Sequence, residues 1–249
     1  MFTLAGWSES QDTAGILTEM AAIPDQHITT ENDDIVVPEW ASNLIAAYPI
    51  GANITQAQIS SPSLRKGLLL DCPFLADNIT PDGANALVDL ISNPKKLEPS
   101  EGLRALVAEA AVGAEQDSLF VWLADKLEDM PAGEVVWVRC TSTTTLTPYA
   151  WSLCNLNFTQ QLPAGKWAIV GARMFGASAI VFRFVLPGSA HRPGGIAFTS
   201  EAQTQVFINE PAVLGKWGEF DHRFPPQMEV IADAADTSQV VYIALVKME

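Results

Sequence analysis

The chain has 249 residues, of which 48% are hydrophobic and only 17% charged, and its formal net charge is −15. This length suffices for one large sandwich or for two ordinary domains with buried cores. The acidic balance disfavours nucleic-acid binding, which needs a basic patch to displace counterions from phosphates. Eight acidic residues precede the first basic one, Arg65, so this argument is strongest for the N-terminal quarter.

Membrane insertion and secretion through a signal peptide are not expected. The apolar stretch 168–186 is interrupted by Arg173, Gly176 and Arg183, whereas a membrane helix needs about 20 consecutive apolar residues. The first four residues carry no basic region of a secretory signal.

Residues 1–34 are predicted to form an N-terminal arm. Ser8 or Ser10 could cap a short helix that ends at Pro24 and has a narrow apolar side. The rest of the segment is polar, so it buries too little apolar area to fold alone. We expect it either to become ordered by docking on a neighbouring subunit or to remain a frayed tail.

Residues 35–131 are predicted to form a first β-sandwich. Short apolar runs separated by Pro- and Gly-containing turns predict strands at 35–37, 53–59 and 67–72. Apolar residues at helical spacing predict short helices at 40–47 and 81–91.

Two stretches of the chain repeat one pattern of turn, strand, turn and strand. The first runs from Pro99 to Ala124 and the second from Pro163 to Leu186, and their second strands align at a slightly shorter offset than their first strands. We interpret each stretch as a β-hairpin, arising either from duplication or from a pattern common in all-β chains. Residues 103–110 are mostly helix formers, but their similarity to 167–174 favours a strand.

Residues 132–249 are predicted to form a second β-sandwich. Strands are expected at 135–141, 151–158, 167–174, 179–186, 196–199, 205–208, 228–232 and 240–246. The strand at 179–186 is apolar on both faces, as in a central strand or one covered by a partner. The predicted fold class is therefore all-β, with two tandem antiparallel β-sandwiches of jelly-roll type, short helices and an N-terminal arm.

The chain carries no recognised catalytic motif, and we predict no catalytic residues and no enzymatic activity. The most polar cluster is Asp221-His222-Arg223, with Glu219 nearby. Because adjacent side chains on an extended chain point to opposite faces, we do not expect Asp221 and His222 to pair. A structural loop is the expected role.

No cofactor or metal site is predicted either. Cys72, Cys140 and Cys154 lack the spacing of a zinc site and are expected to be buried free thiols. The acidic run 31–34 lacks the spaced ligands of a calcium loop, so a solvated run is expected. The Gly- and Pro-rich segment 191–195 is expected to be a mobile, exposed connection.

Aromatic residues offer the remaining binding signal. Trp217 with Phe220 could form a sugar-stacking platform. Four other tryptophans lie within predicted strands, as residues of a core or an interface would: Trp122, Trp137, Trp151 and Trp167.

The run Leu162-Pro163-Ala164-Gly165-Lys166-Trp167 and the strands after it, together with the weaker counterpart at 99–125, resemble the double jelly-roll major capsid proteins of tailless icosahedral viruses. The resemblance is architectural, covers residues 35–249 and rests on no diagnostic motif. It implies a structural virion protein, made in the host cytoplasm, whose homotrimers tile a shell beside neighbouring capsomers and other virion proteins. The acidic N-terminus implies no direct nucleic-acid contact and is compatible with a shell that encloses a membrane.

Three functions therefore compete. The favoured one is a capsid protein that self-assembles by burying apolar area between subunits. A β-sandwich module that binds carbohydrate or protein predicts a monomer with an exposed aromatic row. A sandwich hydrolase predicts clustered acids or a His–carboxylate pair in a cleft.

Overall fold

The computed structural model of this chain describes residues 1–10, 13–51, 54–65, 70–72 (backbone only), 87–110, 116–200 and 207–248. The fold is all-β, with two tandem antiparallel β-sandwiches of jelly-roll type. The described residues between Leu4 and Asp125 form one compact unit, the first unit. Those from Lys126 onward, together with Met1–Thr3, form the second unit. Among the described residues no helix is long and apolar enough to cross a membrane.

The strands up to residue 125 build two sheets. One has the order β1-β11-β5-β8, with β9 also paired to β5, and the other β3-β4-β10-β6-β7, with β2 also paired to β10. A four-residue helix, α1 (Pro62–Arg65), follows β6. The strands are β1 (Phe2–Ser10), β2 (Thr18–Glu19), β3 (Thr30–Glu31), β4 (Asp34–Val36), β5 (Asn43–Ile50), β6 (Ile54–Ser60), β7 (Leu70–Cys72), β8 (Val88–Asp89), β9 (Lys95–Lys96), β10 (Gly102–Glu109) and β11 (Gln116–Ala124).

The core of the first unit lies between these sheets. Trp7, Leu44 and Val121 from the first sheet and Ile59 and Val107 from the second are fully buried in one apolar cluster. This layered burial is what strands of alternating or wholly apolar character require.

The strands of the second unit also form two layers. They have the orders β14-β12-β20-β15-β18 and β13-β19-β16-β17, joined by a short parallel pairing of β15 with β17. A 3-10 turn (Phe207–Asn209) lies between β17 and β18. The strands are β12 (Val135–Ser142), β13 (Ser152–Cys154), β14 (Asn157–Phe158), β15 (Lys166–Phe175), β16 (Ala179–Val185), β17 (Gly194–Phe198), β18 (Gly218–Asp221), β19 (Gln227–Ala232) and β20 (Gln239–Lys247).

This connectivity is that of an eight-stranded jelly roll. If β14 is set aside and the others are lettered B to I in chain order, the two layers read B-I-D-G and C-H-E-F. We refer to them as the BIDG sheet and the CHEF sheet of the second unit.

The first unit has the same two strand orders in a circularly permuted chain. Its chain order corresponds to F (β1), G (β2 and β4), H (β5), I (β6), B (β7), C (β8 and β9), D (β10) and E (β11). The break in connectivity therefore falls between E and F. The N-terminal ammonium of Met1 donates a hydrogen bond to the carbonyl of Lys126, two residues beyond the end of β11.

The two repeated stretches occupy equivalent positions, but neither is a hairpin. Strands β10 and β15 both occupy position D, and their first residues are separated by the same offset as Pro99 and Pro163. Strands β11 and β16 both occupy position E in the opposite layer, so each repeat is an arch between layers. The hairpin interpretation is wrong because arch and hairpin share the same local turn–strand pattern, and only non-local pairing distinguishes them.

The N-terminal segment becomes ordered by docking on its own chain. Trp7 and Met20 are fully buried in the first core, and the Trp7 indole N–H donates to the Asp33 carbonyl at 3.0 Å. The helix expected between Ser8 and Pro24 is wrong, since this region contributes β1 and β2 instead. Pairing in a sheet and burial of both strand faces stabilise these residues more than the narrow apolar side of a helix would.

Of the other local predictions, some are confirmed and some are wrong. The strand at 103–110 is confirmed as β10. The helix predicted at 40–47 is wrong, because residues 43–47 belong to β5. All eight residues of this strand are buried, so its apolar residues do not mark one side of a helix. The helix at 81–91 lies mostly outside the described residues, although its end contains β8. Of 205–208, the described residues belong to the 3-10 turn rather than to a strand.

Candidate assembly surface

The outer face of the BIDG sheet is built by three strands in register. Arg139 of β12, Tyr242 of β20 and Arg173 of β15 form one cross-strand row. Trp137, Ala244 and Gly171 form the next row on the same face. Directly opposed residues share a face, so this register determines which side chains lie together.

Part of this face is covered by the chain itself. A Cβ added at Gly171 would lie 2.7 Å from the Asn209 carbonyl oxygen, so the backbone after the 3-10 turn packs directly on β15. Ala168, Val170, Ala244 and Val246 are buried in a cluster that also receives Met130, Val135 and Met248. Covered apolar residues of this kind belong to the core.

The remaining part stays open. Trp137 is 38% exposed, and its neighbours on the face are only half buried. We call this open region the Trp137 face: Trp137, Arg139, Thr141, Val240 and Tyr242. Of the tryptophans placed in predicted strands, Trp122 and Trp167 are buried and Trp151 is half buried, so Trp137 is the one most available to a partner.

The Trp137 ring is held in place before any partner binds. The Arg173 guanidinium lies 4.3 Å from the ring centroid. Glu210 accepts hydrogen bonds from Arg173 Nε at 3.1 Å and Nη2 at 2.9 Å. A bidentate carboxylate and a cation–π contact restrict both side chains, which lowers the entropy lost when the surface is covered.

The CHEF sheet carries a more deeply buried pair on its outer face. Arg183 of β16 is 1% exposed, and its Nε and Nη2 both lie 2.7 Å from Glu229 Oε2. The Trp151 ring centroid is 3.7 Å from the guanidinium carbon. Leu153 of β13, 51% exposed, lies opposite Glu229 in the register.

The polar cluster differs from its prediction in one respect. His222 Nδ1 and Asp221 Oδ1 are 3.1 Å apart, although we expected the two side chains to diverge. They converge because β18 ends at Asp221 and a turn follows, closed by the Phe224 N–H on the Asp221 carbonyl at 2.8 Å.

The contact does not form an acid–base pair. The Gly165 amide N–H donates to His222 Nδ1 at 3.1 Å, so that nitrogen is an acceptor and carries no proton to share with Asp221. The Asp221 carboxylate accepts two hydrogen bonds from the Arg223 guanidinium, at 2.8 and 3.0 Å. These bonds hold the pKa of Asp221 well below its usual range.

Two further sequence expectations change in the structure. Trp217 is fully buried and packs edge-on against Phe2, with ring centroids 5.5 Å apart, while Phe220 is 4% exposed. They form no sugar-stacking platform. Arg192, expected in an exposed loop, is 4% exposed and donates from Nη1 to the carbonyl of Ser189 at 2.6 Å.

The acidic run lies at a hairpin turn, and Cys140 and Cys154 lie in the interior. Asn32 and Asp33 have φ values of 48° and 68° at the tip of the β3–β4 hairpin, as the two-residue turn of a tight hairpin requires. Cys140 and Cys154 are buried free thiols, as expected, and burial raises the pKa of Cys140 to about 12. Within the described ranges, no group of three or more His, Cys, Asp or Glu side chains could hold a metal ion.

Comparison with known proteins gives a likeness in structure but none in sequence. No protein-family model and no curated protein matches this chain. Among solved structures, the chain is similar to the major capsid protein P2 of bacteriophage PM2, with 10% sequence identity, 100% of this chain and 98% of that chain covered, and a TM-score of 0.24.

Proposed function

We propose that this chain is a structural capsid protein that self-assembles through subunit interfaces into an icosahedral shell. The observation that carries the proposal is the tandem of two jelly-roll sandwiches in one chain. Jelly rolls are the fold of many viral capsid subunits and of lectins. Three copies of a two-sandwich chain supply six such modules, which supports a homotrimer of pseudo-hexagonal outline.

The Trp137 face supports self-association. Trp, Tyr and Arg are enriched where protein interfaces bury their strongest contacts. Here all three residue types lie together on one rigid sheet. A standard interface engages about 20–30 residues per partner, many more than the five of this face, so neighbouring surfaces must contribute.

An enzymatic role is not proposed. In the most polar cluster, the His222 nitrogen nearest to a carboxylate is occupied by the Gly165 amide, and the carboxylate by Arg223. Both groups are thus used in closing turns at the end of β18. No cofactor or metal forms part of the proposal.

The proposal extends to location and partners. The protein would be made in the host cytoplasm and reside in the virion, beside neighbouring capsomers and other virion proteins. Residues 35–131 and 132–249 would supply the two sandwich modules, and residues 1–34 would serve as an arm held within the chain, because they contribute β1, β2 and β3 to the sheets of the first sandwich. The acidic N-terminal quarter supports a shell without direct nucleic-acid contact, compatible with an enclosed membrane.

A binding module is the second candidate, favoured by one cavity. A cleft of about 280 Å³ in the second unit is lined by apolar, amide and imidazole side chains: Phe158, Gln160, Gln161, Leu162, His222 and Pro225. Aromatic and amide groups together are typical of small-ligand and sugar sites. This candidate predicts a monomer whose surface is complementary to a ligand rather than to itself.

Electron microscopy of the purified chain, combined with a glycan-binding screen of the same sample, separates the two candidates. The capsid proposal expects trimers, sheets of trimers or closed shells, and no glycan signal above background. Uniform single chains that bind a glycan in the cleft would overturn it and establish the binding module.

A further inference from the structure

We propose that the Trp137 face docks on the acidic first unit of a second copy of this chain, so that copies associate head to tail. The inference rests on the proposed function and deepens it, because it names the partner surface.

The charge available to a partner on this face is that of Arg139. The neighbouring cation Arg173 is already neutralised by the bidentate contact with Glu210. Arg139 is half buried, and within the described part of the chain no ion pair of its guanidinium is observed. Covering this face without an opposing carboxylate would leave a desolvated cation, which is costly.

A symmetric contact of two Trp137 faces fits this charge poorly. In an isologous interface the same patch meets itself about a twofold axis. Each Arg139 would then be covered by a face that carries the same cation and no carboxylate, so neither guanidinium would gain an opposite charge. A partner surface of opposite sign supplies the missing carboxylate.

The first unit offers that sign. Residues 1–125 contain 18 acidic and five basic side chains, whereas residues 126–249 contain 11 acidic and nine basic ones. Nearly the whole net charge of the chain therefore lies on the first unit. Docking of a second-unit face on a first unit also spreads this charge, which otherwise repels itself.

The acidic side chains cluster around strand β4. Glu31 and Asp33 are exposed at the turn before β4, and Glu39 is exposed after it. Glu98 is exposed in the neighbouring turn, where the Ser100 N–H donates to the Val37 carbonyl at 2.9 Å. We call these four carboxylates the β4 acidic edge, and they are the proposed counterpart of Arg139.

Two variants test the pairing. The face variant is Arg139→Glu, and its matched control is Lys247→Glu, an exposed position of the same unit with the same change of charge. The edge variant combines Glu31→Gln, Asp33→Asn, Glu39→Gln and Glu98→Gln. Its control neutralises two exposed acids of the first unit outside the edge, Asp89→Asn and Asp125→Asn, and so removes half as many charges.

Sedimentation of each variant alone, and then of the two mixed, is the experiment. Alone, each variant should dissociate at least about tenfold more readily than wild type, as expected for loss of a close interfacial charge pair, while both controls assemble normally. Mixed, the intact first unit of the face variant can bind the intact face of the edge variant. The mixture should then form a dimer, with twice the chain mass of 26.8 kDa, that grows no further.

The outcomes are distinguishable. Recovery of the dimer also shows that both variants are folded. If the edge variant assembles like wild type while the face variant does not, or if Arg139→Glu changes nothing, the head-to-tail pairing is refuted while assembly itself stands. A wild-type chain that stays monomeric at every concentration refutes the proposed function instead.

Discussion

The buried pair Arg183–Glu229 should contribute far more to stability than the surface pair Arg173–Glu210. Arg183 is 1% exposed, holds Glu229 Oε2 at 2.7 Å and lies 3.7 Å from the centroid of the Trp151 ring. Arg183→Met leaves the Glu229 carboxylate, itself 12% exposed, without its cation. Removing one partner of a buried pair costs about 3–5 kcal/mol, so we expect the free energy of unfolding to fall by about that amount.

The measurement is urea unfolding at a fixed protein concentration, because subunit association adds to apparent stability. The matched control is Arg173→Met, whose side chain is 27% exposed and whose loss should cost about 1 kcal/mol or less. The double variant Arg183→Met with Glu229→Leu should recover most of the loss, since no charge is left buried. The large contribution assigned to the buried pair is contradicted if Arg183→Met costs no more than the control, or if the double variant is less stable than either single one.

Three smaller predictions concern other parts of the second unit. Asn209→Ala removes two buried hydrogen bonds to the Ile196 backbone, at 3.0 and 2.7 Å, and should lower the free energy of unfolding by about 2–3 kcal/mol; an unchanged urea midpoint would contradict this. The Cys140 thiol, with its pKa raised to about 12, should react with a thiol reagent only at the rate of unfolding, and fast labelling of the native protein would contradict its burial. Because the pKa of Asp221 is depressed, its carboxylate stabilises the fold above the carboxyl's unfolded pKa, and this contribution is lost as pH falls through the folded value. Arg223→Ala should raise the pKa of Asp221 seen by NMR titration, although the backbone N–H of residue 223 still donates to the carboxylate and keeps this pKa below its usual range; an unshifted titration would contradict the assigned cause.

Local pattern predicted many of the strands. Alternation and β-branched residues placed β12, β15, β16, β19 and β20 within one or two residues of their observed bounds. The offset between the two repeated stretches also matched the starts of β10 and β15. These signals are local, because they depend on turn residues and on which face of a strand is apolar.

Sheet pairing could not be predicted in the same way. Nothing in the residues around Pro99 or Pro163 distinguishes a hairpin from an arch. Strand β10 pairs with β2, β4 and β6, all of which precede β7, β8 and β9 in the chain, and not with β11, which follows it. Likewise, the apolar residues at helical spacing in 40–47 do not require a helix, because β5 is buried on both faces and accepts apolar residues at every position. The permuted order of the first unit follows only from these non-local pairings.

The candidate surface was partly visible in the sequence. Trp137 stood out as a residue of a core or an interface, but its exposure depends on where the backbone after Asn209 covers the sheet. The row of Arg139, Tyr242 and Arg173 requires the register of three strands. By contrast, the contact of Asp221 with His222 was missed because it depends on where β18 ends.

The proposed function requires that this chain assemble with itself. Sedimentation equilibrium of the purified wild-type chain over a wide concentration range tests it most directly. We expect a species of three times 26.8 kDa, or larger shells, and we expect the association between chains to weaken as the salt concentration is raised. A single species of 26.8 kDa at every concentration would contradict it.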